Sequence, residues 1–168
     1  MKIAIHGPMG SGKSTIASII KEHNSNYEIF SYGQKIKDIA YDIFKMKYKD
    51  RGLLIQIGKK FREIDEDIWA KYIMDQVKDK QFCIIDDLRF QNELDLLQND
   101  WTIISLTTPK DVRVQRIIQC NPHNYKDHIN NMNDVSETST LNLPDNTIYI
   151  NTNTSYEKLK DTILNIIF

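Results

Sequence analysis

The chain has 168 residues, with 22 basic and 23 acidic side chains that give a net charge of −1. This length predicts one compact domain over residues 1–168, and the balanced charge disfavours a stable nucleic-acid partner. Cys83 and Cys120 have neither C-x-x-C nor metal-ligand spacing, so we expect a cytoplasmic protein. No apolar run is long enough to cross a bilayer, so we expect no membrane partner.

The first predicted element is the strand Ile3–Ile5, and a glycine-rich segment follows it. This segment fits the pattern G-x-x-x-x-G-K-[ST] and precedes apolar residues at helical spacing, which is typical of a P-loop. In a P-loop, successive backbone N–H groups and a helix N-terminus surround a polyphosphate. Lys13 would reach the β- and γ-phosphates and Ser14 would bind Mg²⁺. The residues expected to bind the nucleotide are Pro8, Met9, Gly10, Ser11, Gly12, Lys13, Ser14 and Thr15.

The next part of the chain predicts a short strand and three helices. The strand candidate covers residues 27–31. A helix is predicted over residues 34–44, with an apolar stripe that includes Ile43 and Phe44. Residues 51–78 are predicted to form two helices that meet near residues 64–65. Arg51 and Arg62 are eleven residues apart, close to three helical turns, so both project from one side of a continuous helix. Such a pair can bind a phosphate, although an ordinary charged solvent face fits the local pattern equally well.

The segment 82–90 contains four apolar residues and then Asp86, Asp87 and Arg89. The apolar run predicts a strand buried on both faces, and ligands bind at the carboxyl ends of strands in parallel sheets. An acid at this position can bind the magnesium of a P-loop site. Because neighbouring side chains of a strand point to opposite sides, we expect only one of the two acids to face the metal.

The remaining elements are helix 91–99, strand 101–106, a helix after Thr108-Pro109, strand 147–150 and helix 156–167. Arg113 and Arg116 share one side of the helix after Pro109. Residues 121–143 are polar and rich in Asn, which is typical of a disordered loop or a functional lid. No two histidines have ligand spacing, so all four are expected to be structural or solvated. This order of elements predicts an α/β fold with a parallel sheet between helices.

A P-loop together with arginines in two insertions of a small domain favours a phosphotransferase, in which a mobile cover excludes water. A GTPase would be expected to carry N-K-x-D and D-x-x-G, and neither occurs. A nucleotide-binding sensor without turnover stays open as an alternative.

Six segments resemble the deoxynucleoside monophosphate (dNMP) kinases of bacteriophages and large viruses, a branch of the P-loop nucleoside monophosphate kinase superfamily. They are the P-loop, the segment 32–37, the Arg-Gly…Gln…Gly segment 51–58, the pair Arg62 and Trp69, the Asp-x-Arg-Phe-x-Asn-Glu segment 87–93, and Ser136-Glu137 with Asn151.

The resemblance implies transfer of the γ-phosphoryl group of ATP to a dNMP, with Mg²⁺, to give a dNDP and ADP. It implies a three-layer P-loop kinase fold with a five-stranded parallel sheet, an acceptor-binding helical region at about 33–78 and a lid at about 121–143. The protein would act in the cytoplasm, that of a host if it is viral, as a monomer or a homodimer.

The resemblance also implies roles for individual residues. Residues expected at the acceptor are Lys37, Arg51, Gln56, Arg62, Trp69, Asp87, Arg89 and Glu137. Arg51, Arg62 and Arg89 would hold the acceptor phosphate, and the segment from Asn151 to Thr154 would lie near the adenine of ATP. The expected catalytic residues are Lys13, Arg89, Arg113 and Arg116, and the expected metal ligands are Ser14, Asp86 and Asp87.

The chain departs from the family pattern in two places. In the segment 32–37, Gly33 stands where the family often has Ala and Ile36 stands in place of Leu, and the lid has no arginine. Charge neutralisation by an arginine is therefore expected from Arg113 or Arg116, because the lid lysine, Lys126, cannot make a bidentate contact. A phosphomevalonate or dephospho-coenzyme A kinase-like enzyme is the alternative within P-loop kinases.

Overall fold

The computed structural model describes residues 1–97 and 100–168. The described strands are β1 (Lys2–His6), β2 (Glu28–Phe30), β3 (Cys83–Leu88), β4 (Trp101–Thr107) and β5 (Ile148–Asn151). The described helices are α1 (Lys13–His23), α2 (Tyr32–Asp42), α3 (Arg51–Ile64), α4 (Ile68–Val77), α5 (Gln91–Asp95), α6 (Lys110–Cys120), α7 (Tyr125–Asn130), α8 (Val135–Thr138) and α9 (Tyr156–Ile167).

The five strands form one parallel sheet in the order β2-β3-β1-β4-β5. Ile3 pairs with Ile84 of β3 and with Thr102 of β4, so β1 lies at the centre. All carboxyl ends therefore meet at one edge, where the P-loop follows β1 and the acids end β3. The predicted α/β fold with a five-stranded parallel sheet is confirmed.

Alternate residues of the central strands point to opposite faces of the sheet and pack into two separate hydrophobic cores. Ile3 and Ile5 pack with α1 and α9 on one face, while Ala4 and Ile85 pack with α2, α3 and α4 on the other. Strands buried on both faces need continuous apolar sequence, and this explains the runs seen in β1 and β3. The result is a three-layer arrangement of helices, sheet and helices.

Helix α2 corrects one prediction. It ends at Asp42, so the predicted core stripe stops early: Ile43 is 69% exposed and Phe44 is 55% exposed. Helix α5 ends at Asp95, whereas the predicted helix ran to Asn99, which lies outside the described residues together with Gln98. The two predicted helices of segment 51–78 are confirmed.

The polar segment 121–143 contains α7 and α8, and it buries His128, Met132 and Leu141. We call residues 121–143 the lid below. None of the helices in the described ranges is both long and apolar enough to cross a membrane.

Candidate active site

A cleft of about 910 Å³ opens at the carboxyl edge of the sheet. The P-loop and the residues around Thr152 line one end, and α2, α3 and the end of β3 line the other. The cleft is also lined by the lid residues His128, Asp134, Val135 and Ser136. A cleft of this size and position can hold two small ligands next to each other.

The backbone of the P-loop depends on glycine. Gly10 has φ +78°, and a Cβ atom there would stand 2.8 Å from the carbonyl oxygen of Arg113. Gly12 has φ +94° and immediately precedes α1. Only glycine adopts these angles without strain, and the loop can thus curve around a polyphosphate at the start of α1.

Lys13 folds back onto this loop. Its Nζ donates to the carbonyl oxygens of Gly7 at 2.6 Å and Pro8 at 3.0 Å. Burial, with the nearby Arg89 guanidinium, lowers the pKa of Lys13 to about 7. A buried ammonium without a carboxylate at bonding distance fits a site built for an anionic ligand. Pro8 and Ser11 lie behind the cleft wall, while the other predicted P-loop residues line it.

The two acids at the end of β3 have different surroundings. Asp87 accepts hydrogen bonds from Ser31 Oγ at 2.7 Å, Tyr32 N at 2.8 Å and Gly33 N at 2.9 Å. It therefore caps the N-terminus of α2, and it also lines the cleft. A Cβ on Gly33 would stand 3.2 Å from Asp87 Oδ2, which favours glycine here.

Asp86 accepts no hydrogen bond from the described residues, and it lines the cleft with Ser14. Burial and the neighbouring Asp87 raise the pKa of Asp86 to about 6. A partly buried carboxylate with open oxygens, across the cleft from a P-loop hydroxyl, fits a divalent cation. In the described chain, no group of three or more His, Cys, Asp or Glu side chains could hold a metal alone. Most ligands of a magnesium ion here would have to come from phosphates and water.

Cationic side chains surround the end of the cleft that faces away from the P-loop helix. Lys37, Lys49, Arg51, Arg62 and Arg89 all line it. Three of them, Lys37, Lys49 and Arg51, form no salt bridge within the described ranges. Burial and the adjacent Arg51 lower the pKa of Lys49 to about 8. Sequence analysis missed Lys49, because only the fold brings the loop before α3 to the cleft.

Arg62 and Glu93 illustrate how α3 meets the segment after β3. The guanidinium of Arg62 lies 4.1 Å from the ring centroid of Phe90, and its Nη2 is 3.8 Å from Glu93 Oε1. Glu93 Oε2 accepts from the backbone N–H groups of Arg89 and Phe90. Burial raises the pKa of Glu93 to about 7. Glu93 was part of the recognised motif but was not predicted as a site residue.

Arg89 connects the lid to the sheet. Its Nη1 donates to the carbonyl oxygen of Ser136 at 2.9 Å and makes a short contact with the carboxylate of Glu137. The second oxygen of Glu137 accepts from the backbone N–H of Met9 at 2.9 Å. Glu137, predicted as an acceptor-binding residue, thus orients Arg89 against the P-loop, and its side chain is only 2% exposed.

The two predicted catalytic arginines of α6 also differ. Arg116 lines the cleft and donates to Thr152 through Nη1 to Oγ1 at 3.0 Å and Nη2 to the carbonyl oxygen at 2.7 Å. Arg113 does not line the cleft, and its Nη1 donates to the carbonyl oxygen of Met9 at 3.3 Å. In this structure Arg113 therefore supports the P-loop from behind.

Three other predicted site residues lie outside the cleft. Gln56 is exposed on α3, on a side away from the cleft-lining Ile55. Trp69 is buried, and its Nε1 donates to the carbonyl oxygen of Gly58 at 3.1 Å, so it joins α4 to α3. Asn151 is exposed, and its side chain accepts from Asn153 N.

Two other residues of the segment 151–154, Thr152 and Thr154, line the cleft. Thr152 Oγ1 also donates to the carbonyl oxygen of Ser11 at 2.8 Å. This bond ties the predicted adenine region to the P-loop.

His128 of α7 is the second residue that sequence analysis missed, because it was expected to be structural or solvated. The ring lines the cleft, is 2% exposed, and its Nε2 has no hydrogen-bond partner in the described chain. Burial and the nearby Arg51 and Lys49 lower its pKa to about 4.

Comparison with known proteins agrees with this arrangement. Residues 3–138 match the sequence model of the family described as AAA domain. No curated protein matches the chain.

Several solved structures share the fold at low sequence identity. A gluconokinase from Sinorhizobium meliloti 1021 has a TM-score of 0.61 and 15% identity, covering 98% of this chain and 89% of that chain. A sugar kinase from Janibacter sp. HTCC2649 has a TM-score of 0.61 and 19% identity, with coverages of 99% and 95%. A shikimate kinase from Acinetobacter baumannii, in complex with shikimate, has a TM-score of 0.58 and 18% identity, with coverages of 99% and 92%.

Proposed function

Because the chain belongs to the AAA domain family, and its P-loop lies in a kinase-type fold, we propose that it is an ATP-dependent small-molecule kinase. We further propose that the acceptor is a deoxynucleoside monophosphate, which receives the γ-phosphoryl group on its 5′-phosphate. The acceptor region 33–78 would bind this nucleotide, and the lid 121–143 would cover it.

One observation carries the choice of a phosphorylated acceptor. Lys37, Lys49 and Arg51 line the end of the cleft opposite the P-loop helix, and they form no salt bridge within the described ranges. Grouping unpaired cations in a partly desolvated cleft is unfavourable unless an anion binds among them. A phosphate monoester carries close to two negative charges at neutral pH, so it satisfies this group better than a single carboxylate.

The same end of the cleft has an apolar wall that suits a nucleoside. This wall is formed by Tyr32 and Ile36 of α2, Leu54 and Ile55 of α3, and Phe90 after β3. Apolar and aromatic side chains of this kind bind the faces of a base, while charged groups hold its phosphate. The sugar-base part of a dNMP would therefore lie between α2 and α3.

At the donor end, the curved backbone from Met9 to Thr15 and the N-terminus of α1 would hold the phosphates of ATP. Lys13 would leave the carbonyl oxygens of Gly7 and Pro8 and bind the β- and γ-phosphates. Ser14 and Asp86 would hold a magnesium ion, which supplies neutralisation of the charge that develops between the β- and γ-phosphates. Arg116, Thr152 and Thr154 would contact the adenosine.

The proposed reaction is an in-line displacement. An oxygen of the acceptor phosphate bonds to the γ-phosphorus while the bond to the β,γ-bridging oxygen breaks, and ADP leaves with that electron pair. Arg89, oriented by Glu137, would stabilise the charge on the transferring group. The lid would exclude water from it.

A second candidate is a kinase that acts on an unphosphorylated polyol or hydroxy acid. The proteins that share the fold include a gluconokinase, a sugar kinase and shikimate kinases. The cation cluster at the acceptor end would then bind a carboxylate.

The deciding experiment measures ADP release with ATP and Mg²⁺ against all common dNMPs and NMPs, gluconate, shikimate, phosphomevalonate and dephospho-coenzyme A. Turnover with one or more dNMPs supports the proposal and names the base. Turnover only with an unphosphorylated acid, or only with another phosphorylated acceptor, assigns a different kinase.

Lys13→Met serves as the catalytic control in this assay. We expect it to lower kcat/KM at least about 10³-fold, because it removes a charge that stabilises the transition state. Lys110→Met, on the exposed first turn of α6, should retain wild-type turnover. Activity of Lys13→Met within tenfold of wild type would contradict the assigned role.

A further inference from the structure

His128 is a buried polar side chain of the cleft to which the reaction above gives no part. Its ring is 2% exposed, and its Nε2 has no hydrogen-bond partner among the residues described. A buried polar atom without a partner is unfavourable, and in native structures it calls for a specific explanation such as a bound ligand.

The lid holds His128 at the acceptor end of the cleft. Asp127, the preceding residue, accepts through Oδ2 from the backbone N–H of Arg51 at 2.7 Å. Asn124, one turn earlier on the lid, donates through Nδ2 to the carbonyl oxygen of Lys49 at 2.6 Å. These two bonds fix α7 against the start of α3, next to the unpaired cations Lys49 and Arg51.

The charges around the ring favour a neutral imidazole while no ligand is bound. Burial lowers the pKa of His128, the charges of Arg51 and Lys49 lower it further, and the carboxylates of Asp127 and Glu137 oppose them in part. A neutral imidazole carries one N–H donor. An acceptor phosphate that binds Lys49 and Arg51 would present oxygen acceptors to this donor.

From this arrangement we propose that His128 is the lid's hydrogen-bond donor to the acceptor phosphate. This inference rests on the proposed function and deepens it. The lid contains no arginine, and its lysine, Lys126, is exposed and does not line the cleft. His128 is therefore the side chain by which lid closure would sense that a phosphorylated acceptor is bound.

The test follows the imidazole signals of protein labelled with ¹⁵N-histidine. The chain has four histidines, so comparison with His128→Gln assigns the signal of His128. The titrants are the four dNMPs and the matching deoxynucleosides. We expect the His128 signal to shift with a monophosphate and to stay in place with the nucleoside, while the signal of the exposed His123 does not move.

Kinetics with the accepted dNMP supply the second readout. His128→Leu fills a similar volume without a donor, and we expect it to raise the acceptor KM about tenfold, with the KM for ATP unchanged, as for one lost hydrogen bond to a charged group. His128→Gln retains an N–H donor and should recover most of the affinity. His123→Leu, in the same lid, is the matched control.

The outcomes separate the inference from the proposed function. If dNMPs bind and are phosphorylated while the His128 signal and the KM of His128→Leu stay as in wild type, only the inference is overturned. If no dNMP shifts any protein signal or supports turnover, the proposed acceptor class is wrong and the inference is rejected with it. If His128→Leu is unfolded by circular dichroism, the NMR titration of the wild-type protein alone decides.

Discussion

At the scale of single residues, the two adjacent acids of β3 show how local environment separates two side chains of the same type. Asp87 uses both carboxylate oxygens to accept three hydrogen bonds from residues 31–33. Asp86 accepts none from the described chain, and burial with the charge of Asp87 raises its pKa from 3.8 to about 6. Ionised Asp86 therefore destabilises the folded, ligand-free protein. Destabilising groups of this kind are common at functional sites.

We predict that Asp86→Asn stabilises the ligand-free protein and removes activity. A folded-state pKa above the unfolded value means that ionisation penalises the folded state. This penalty is complete above about pH 6 and vanishes below 3.8. Replacement by Asn should therefore raise the free energy of unfolding at pH 7 by about 1–3 kcal/mol.

Urea denaturation at pH 7 and at pH 4.5 measures this effect, and the gain should shrink at the lower pH. Asp145→Asn, an exposed acid in a loop, should change stability by less than about 0.5 kcal/mol. The role given to Asp86 would be contradicted if Asp86→Asn is less stable than wild type at pH 7. It would also be contradicted if Asp86→Asn keeps full Mg²⁺-dependent activity.

At the scale of elements, α2 depends on a cap supplied by another part of the chain. Its N-cap residue, Ser31, makes no capping hydrogen bond through its own side chain to the helix. Asp87, at the end of β3, accepts from the first two backbone N–H groups instead. Because α2 carries Tyr32, Ile36 and Lys37 to the cleft, this cap positions the acceptor end of the site.

We predict that Asp87→Ala lowers the free energy of unfolding by about 1–3 kcal/mol, since it removes a cap and leaves buried donors without partners. The KM for the acceptor should rise more than the KM for ATP, because α2 shifts while the P-loop stays in place. Chemical denaturation and steady-state kinetics measure the two effects. Asp42→Ala, at the exposed end of the same helix, is the control, and equal effects of the two substitutions would exclude the capping role.

At the scale of the whole molecule, the lid joins the two ends of the cleft. Glu137 contacts Met9 of the P-loop and Arg89 of the sheet edge, while Asp127 and Asn124 bind the start of α3. Donor site, acceptor site and lid are thus connected through a few polar contacts. Contacts of this kind open locally at a lower free energy than the apolar cores do.

We predict that Asp127→Ala loosens the lid without unfolding the core. Backbone amides of 125–138 should exchange faster with solvent, while those of β1 and β3 keep their protection. Water should then reach the transferring group more easily. The rate of ATP hydrolysis without acceptor should therefore rise relative to the rate of phosphoryl transfer to the acceptor. Hydrogen exchange by mass spectrometry and ADP release measure these effects. The neighbouring exposed Lys126→Ala should match wild type, and unchanged exchange in Asp127→Ala would refute this role for the bond to Arg51.

Features that depend on local spacing could be predicted from the sequence alone. The P-loop pattern, the apolar runs of β1 and β3 and the alternation of strands and helices predicted the parallel sheet and the phosphate site, because backbone conformation and burial impose these periods directly. The arginines of α3 were likewise predicted to share a side, and both line the cleft.

The contacts of individual polar side chains could be assigned only from the folded structure. The local sequence does not reveal that Asp87 caps α2, that Trp69 joins α3 to α4, or that Arg113 supports the P-loop. Lys49 and His128 come from segments 79 residues apart, and they meet at the cleft only because the lid folds over α3. The role of a polar group depends on the partners and the solvent that the fold brings to it, whereas the formation of a strand or a phosphate loop depends mainly on its immediate neighbours.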